Sequence, residues 1–409
     1  MSKTSGIHAG NMEQSNWGQS TVPVFQTTSY AYDTAEELEA VFAGRAPGFI
    51  YTRIANPTTA TLERRLNALE GGVGCIATAS GMAALSTTLL GLLSTGDEMV
   101  AGSGLFGGTV SLLDNVLGRW GIKVQYADVA RTENIAAAIT PKTKLILVET
   151  IGNPRMDVPD LPAIAELAQA AGIPLLVDST VTPPTMVRPK EWGADIVIHS
   201  TSKFINGHGT AIGGAIIDTG NYNWAASPFA PVQQYKRAGQ LAFLAYLRNG
   251  TFRDLGACPA PQNSFLMLQG LETLALRMPQ HCANAARLAS SLRDHAEVSW
   301  INYPGLEDSP FYERTQRLFN GVGGAVLTFG LGSKERAFRF INALELARNL
   351  ANLGDAKTLV IHPASTIFHE FEAAQQATMG VTQDLIRVSV GLEDFKDIDD
   401  DFRQAIDKV

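Results

Sequence analysis

The sequence predicts an α/β protein: a mainly parallel sheet between helices, preceded by an extended N-terminal arm and followed by a smaller C-terminal α+β domain. Three observations carry that expectation. Between residues 58 and 248, apolar strand candidates alternate with amphipathic helical stretches, the pattern of a parallel sheet covered on both faces. From 249 to 409 the order changes to long helices followed by strands, which suggests a separate α+β lobe. Residues 1–57 are rich in Gly, Ser, Thr, Asn and Gln and read as an arm. At 409 residues the chain exceeds the size at which one hydrophobic core stops growing, so two lobes are the natural outcome.

Within the arm, VPVFQTTSYAY is the only strand-like piece, with a short acidic helix, TAEELEAVFAG, behind it. PTTATLERRLNALEGG has apolar residues three and four apart, Pro near its start and Gly past its end, the marks of a bounded helix. CIATASGMAALSTTLLGLL runs from an apolar segment into a helix. The strand candidates EMVAG, KVQYADV, KLILVET, IPLLVDS and ADIVIHS follow, separated by helices around TVSLLDNVLGRW, NIAAAI and LPAIAELAQAAG. A further strand, TAIGGAIID, faces ADIVIHS across a polar turn. The C-terminal lobe opens with two helices, NSFLMLQGLETLALRM and CANAARLASSLRDH. Strands VSWINY, GAVLTFGL and LIRVSVG follow, and DFKDIDDDFRQAIDK closes the chain as a helix. In such parallel sheets ligands collect at the carboxyl ends of the strands.

Composition narrows the function class. With 45% hydrophobic and 18% charged residues the chain has the profile of a folded enzyme. Its 32 basic and 40 acidic side chains leave a net charge of −8 and no long basic run, which argues against nucleic acid. Three widely spaced cysteines make neither a disulfide framework nor a metal site, and they fit a reducing cytoplasm. The first residues lack an apolar signal core and no membrane-length apolar run follows, so neither secretion nor a membrane span is expected. The seven histidines are scattered without zinc-ligand spacing, and no metal is expected. His208, in NGHG, is either structural or at the entrance to the site, with the structural reading favoured, and His362 reads as a hydrogen-bonded turn residue.

Four positions carry chemistry. Ser80-Gly81-Met82 opens a helix, either as an ordinary Ser cap or as an anion site where free amides and the helix dipole converge. Asp178 ends the buried strand IPLLVDS, and either starts the next turn or meets a cation or ring N–H. Lys203 stands between two core strands in HSTSKFINGHG. It is either a solvated loop lysine or an amine whose pKa burial lowers, ready to attack a carbonyl. Arg387, inside the apolar strand LIRVSVG, needs an anion, from the protein or from a substrate carboxylate. A phosphate cradle, a strand-end carboxylate and an amine are the parts that pyridoxal 5′-phosphate requires.

SGMAA, ETIGNPRMDVPDL, VDSTVTPP and HSTSKFINGHGT also resemble the corresponding segments of the Cys/Met-metabolism family of pyridoxal-phosphate enzymes, and the match runs in order from IHAG to VSVGLED. The resemblance implies the fold-type I architecture, with a seven-stranded sheet. By it, Lys203 holds the cofactor covalently and moves protons at Cα, C4′ and Cβ, while Asp178 pairs with the pyridinium. Ser80, Gly81, Met82, Ser200 and Ser202 bind the phosphate, Asn153 contacts the ring 3-oxygen, and Phe106 stacks on the ring. Tyr51 and Arg53 reach the neighbouring subunit's phosphate, which implies a homodimer with shared sites and, beyond it, a tetramer. Arg387 receives the substrate α-carboxylate, with Asn352 also at the substrate.

QTTSY, FIYTRIANPTT, LQGLETLALRM and LANLGDAKTLVIHPAST resemble the O-acetylhomoserine sulfhydrylase branch more than its sister branches. The implied reaction is γ-replacement on O-acetyl-L-homoserine with sulfide or a related donor, giving homocysteine for methionine biosynthesis. Most of the family has Tyr where this chain has Phe106, which keeps the ring and loses the O–H. Acetate leaves without that acid, and Tyr51 is the candidate for any acid role near the γ-carbon. Two alternatives stand beside this expectation. One is a sister activity, such as O-succinylhomoserine sulfhydrylase, cystathionine γ-synthase or methionine γ-lyase; the other is a catalytically silent binding scaffold.

Overall fold

Seven strands form the larger sheet of the computed structural model, which describes residues 3–10 and 18–409. In chain order they are β1 (Gly74–Thr78), β2 (Glu98–Gly102), β3 (Lys123–Ala127), β4 (Thr143–Glu149), β5 (Leu175–Asp178), β6 (Ile196–His199) and β7 (Gly214–Asp218). Their spatial order is β1-β7-β6-β5-β4-β2-β3. All neighbouring pairs are parallel except those of β7, which runs antiparallel to both β1 and β6. The sheet is therefore mainly parallel, and β7 returns directly from β6 across the turn that carries Lys203.

Burial on both faces explains the continuous apolar runs. In β4, Ile146 and Val148 enter one core while Leu145 and Leu147 enter the other, and β5 divides Leu175 and Val177 from Leu176 in the same way. Side-chain alternation across a sheet requires this when helices cover both sides. A second, five-stranded sheet lies in the C-terminal lobe, formed by β8 (Trp300–Asn302), β9 (Val326–Gly330), β10 (Arg348–Asn349), β11 (Leu359–Ile361) and β12 (Leu385–Ser389). Its order is β10-β11-β12-β9-β8, which places β12 and its Arg387 in the middle.

Two expectations change. The stretch 261–293 is one helix, Pro261–Arg293, with Pro279 inside it, where the sequence suggested two, NSFLMLQGLETLALRM and CANAARLASSLRDH. Proline interrupts the backbone ladder. Even so, the buried stripe Leu271, Leu274, Met278, Cys282, Ala285, Leu288 and Leu292 continues through it at three- and four-residue spacing, and packing holds the helix together. The first half of that helix packs on the large-lobe core and the second half on the C-terminal core, so it spans both lobes. VPVFQTTSYAY forms no strand, only a single bridge between Ser29 and Tyr51. The arm instead includes a short helix, Lys3–His8, in contact with the helices Pro57–Glu70 and Pro261–Arg293. Residues 1–2 and 11–17 of the arm lie outside the described residues. The acidic helix is present as Ala35–Phe42, started by a reciprocal capping box between Thr34 and Glu37.

Candidate active site

A cavity of about 760 Å³ opens where the carboxyl ends of β1, β4, β5 and β6 meet β12 and the loop before β11. Eleven residues expected at the site line it: Ser80, Gly81, Met82, Phe106, Asn153, Asp178, Ser200, Ser202, Lys203, Asn352 and Arg387. Tyr51 and Arg53 do not. They border a separate recess of about 410 Å³ with Gln26 and Cys258. Tyr51 is 40% exposed. The Arg53 guanidinium donates to the Arg253 carbonyl at 2.8 Å and lies 5.4 Å from the Tyr51 ring centroid.

Lys203 sits in a tight turn, its N–H on the Ser200 carbonyl and its own carbonyl taking the Gly207 N–H at 2.8 Å. Its Nζ donates to Asn352 Oδ1 at 2.6 Å. Burial, helped by the positive charge of Arg387, lowers its pKa to about 8. The solvated-loop reading therefore fails. Gly354 locks the loop that presents Asn352: with φ +75°, a Cβ there would stand 2.5 Å from the Phe204 amide nitrogen.

At the end of β1, the Ser80 hydroxyl accepts the Ala83 N–H at 3.0 Å and caps the helix Gly81–Leu92. Ser80 is thus a cap, as one of its two readings had it, and the amides of Gly81 and Met82 remain as the open helix start. A Cβ on Gly81 would lie 2.7 Å from the Ser200 Cβ, so only glycine lets these segments approach. The Ser202 hydroxyl is occupied by both the N–H and the carbonyl of Gly213, at 3.0 and 3.1 Å. Ser200 donates its amide to Thr180 Oγ1 at 2.8 Å.

Asp178 closes β5, its Oδ1 taking the Thr180 N–H at 2.9 Å and the Thr180 hydroxyl at 2.5 Å. Burial raises its pKa against those bonds. Directly across the β4–β5 pairing stands Glu149. Burial first, and then the charge of Asp178, pushes the Glu149 carboxyl well above its ordinary range. Sequence reasoning overlooked Glu149 and Thr180. KLILVET ends on an acid just as IPLLVDS does, and that parallel was the available signal for Glu149.

Arg387 is buried, and its guanidinium donates to Asn153 Oδ1 at 3.2 Å and to the Asn352 carbonyl at 2.9 Å. Its Nε is buried without a partner. Burial lowers its pKa to about 10. No carboxylate pairs with it among the described residues, which disfavours the internal salt bridge. Asn153, expected at a ring oxygen, has its own Oδ1 on Arg387 and only its Nδ2 still to give. His362 is the turn residue expected, bonded through both ring nitrogens to Ser365 and Gln383 at 2.8 Å.

An amine and a buried carboxylate lining one cavity, an open helix start that excludes a Cβ, and an arginine with an orphaned donor fit pyridoxal phosphate and an amino acid. Together they define a cofactor-dependent α/β enzyme acting on amino acids. The model of the Cys/Met metabolism PLP-dependent enzymes matches residues 3–407, and the chain belongs to that family. It is 40% identical to the O-acetyl-L-homoserine sulfhydrylase of Leptospira meyeri, an alignment covering 100% of this chain and 97% of that one. It is 42% identical to the homocysteine synthase of Schizosaccharomyces pombe, covering 99% and 98%. A solved structure of an O-acetylhomoserine (thiol)-lyase from Campylobacter jejuni superposes with a TM-score of 0.92 at 33% identity, covering 99% of both chains. That structure contains N′-pyridoxyl-lysine-5′-monophosphate. The architecture is that of the fold-type I PLP enzymes.

Proposed function

We infer that the chain carries out γ-replacement on O-acetyl-L-homoserine: sulfide or a related donor takes the place of acetate and L-homocysteine results, a step of methionine biosynthesis. The activities named for its full-length relatives agree with this reading. One observation in the site carries it furthest: Lys203 and Arg387 converge on the same asparagine, Asn352, inside one cavity.

Bound pyridoxal phosphate supplies the electron sink that makes the Cα and Cβ protons of the substrate removable. Lys203 would provide its attachment point, and Asp178 would hold its ring nitrogen. The amides of Gly81 and Met82 and the Ser200 hydroxyl would receive its phosphate. Phe106 would pack against its ring. Arg387 binds the substrate α-carboxylate, which gives its orphaned Nε an acceptor. With a pKa of about 8, the Lys203 amine, once freed, is partly unprotonated near neutral pH and takes the Cα proton. Leu85, Ile151, Val181, Leu353 and Ile367 line the cavity and keep water from the reacting carbons. The Cγ–O bond breaks, acetate departs with the electron pair, and sulfur bonds to Cγ. Acetate is a stable anion and leaves without a proton donor, which suits Phe106.

Tyr51 and Arg53 lie exposed, outside the cavity of their own subunit, and we assign them to the phosphate site of a second copy. The site is then complete only in a homodimer, and two such dimers would form a tetramer. Three free cysteines favour the reducing cytoplasm. Among the described residues no helix is long and apolar enough to cross a membrane.

Steady-state rates with O-acetyl- and O-succinyl-homoserine, each with and without sulfide, test the reading. A kcat/KM preference for the acetyl ester and a requirement for sulfide support it. Equal or greater turnover of the succinyl ester rejects the substrate assignment.

A further inference from the structure

Glu149 has no role in the chemistry described so far, yet it faces the cavity from the end of β4. Its two oxygens hold two different loops. Oε1 accepts the Phe106 N–H at 2.8 Å, from the segment after β2, and Oε2 accepts the Asn153 N–H at 3.1 Å, from the segment after β4. Asn153 in turn accepts from the Arg387 guanidinium. A continuous path thus runs from the Phe106 main chain through the Glu149 carboxyl and Asn153 to the arginine. No cation pairs with Glu149 among the described residues, and its nearest charged neighbour across the strands is another acid, Asp178. A carboxylate kept there without a counter-charge is costly, and a neutral filler would pack at lower cost.

We propose that Glu149 is a positioning residue that aims the Phe106 ring and, through Asn153, the Arg387 guanidinium, so that one side chain aligns the cofactor face with the substrate carboxylate. The inference rests on the reading of this cavity as the cofactor's. The two amide bonds favour the ionised carboxyl against burial and the charge of Asp178, and each oxygen of a glutamate can receive one amide. Glutamine cannot, because its NH2 group confronts one of the two N–H donors. Glu149→Gln therefore releases one loop while keeping the volume of the side chain.

The test uses pyridoxal phosphate itself, titrated into the cofactor-free forms of the parent, Glu149→Gln, Phe106→Ala and the double variant. Dissociation constants and the visible circular dichroism of the bound cofactor are the readouts. Glu149→Gln is expected to weaken binding about tenfold and change the dichroic band. In the Phe106→Ala background the same substitution should add less than about twofold, because its effect on the cofactor, unlike its effect on Arg387, passes through that ring. Unchanged affinity and dichroism, or losses that multiply in the double variant, overturn the proposal. Hydrogen exchange on the unmodified cofactor-free chain needs no variant to fold. Slow exchange at the Phe106 and Asn153 amides supports the clamp, and exchange at unstructured-loop rates overturns it. Failure of the parent to bind pyridoxal phosphate at all would reject the cofactor reading, while the exchange measurement would still decide the clamp.

Discussion

The Lys203 amine donates to Asn352 Oδ1 at 2.6 Å, while the main-chain carbonyl of the same asparagine holds the Arg387 guanidinium at 2.9 Å. One residue therefore sets the distance between the group assigned to the Cα proton and the group assigned to the α-carboxylate. Removing the Asn352 side chain leaves the arginine's main-chain contact in place and frees only the amine. Asn352→Ala is expected to lower kcat about tenfold with a smaller change in KM for the ester, as loss of a hydrogen bond to an ionisable group implies. Steady-state kinetics on the cofactor-loaded enzyme check it.

Burial of Lys203 has a cost in stability. Its folded pKa of about 8 lies below the ordinary 10.5, so between those values the unfolded chain binds the proton and the folded chain does not. Stability of the cofactor-free protein therefore rises with pH from about 8 to about 10.5, and below pH 8 the lysine destabilises by up to about 3 kcal/mol. Lys203→Met should melt higher than the parent at pH 7, both cofactor-free, and the difference should narrow towards pH 10.5. Calorimetry across that range measures it.

Arg387 stands buried between β9 and β11 with one donor unused. Arg387→Lys keeps the charge and loses the fork that matches a carboxylate. An expected fall in kcat/KM of about 30- to 1000-fold follows from losing a buried charge-assisted pair. KM should carry a large part of the change, and cofactor absorbance should be unaffected.

Phe106 offers its ring without a phenol. Phe106→Tyr restores an O–H that can protonate a leaving group, and general acids contribute on the order of a hundredfold or more where they act. The variant is expected to cleave a γ-thioether substrate, which needs such an acid, about tenfold faster than the parent. Turnover of the acetyl ester should change less than threefold. Product analysis with both substrates distinguishes the two effects.

Much of this arrangement was legible in the sequence because local patterns decided it. Lys203 is flanked by two strands, Asp178 ends a five-residue apolar run, and the SGM entry to a helix needs no tertiary knowledge. Where packing overrides local pattern, the sequence misled. NSFLMLQGLETLALRM and CANAARLASSLRDH read as two helices, yet the apolar stripe stays in phase across Pro279 and one helix continues. VPVFQTTSYAY has strand composition, yet it bonds through side chains such as Thr58 and Asn56 instead of joining a sheet. Glu149 went unnoticed because its meaning lies in two amides 43 and four residues away, a juxtaposition that only the folded sheet creates.

The most direct measurement is the fate of O-acetyl-L-homoserine incubated with the cofactor-loaded enzyme and sulfide, followed by mass spectrometry. Stoichiometric homocysteine and acetate are expected, with Lys203→Ala forming neither. Accumulation of 2-oxobutyrate and ammonia in place of homocysteine would contradict this and assign the chain to γ-elimination.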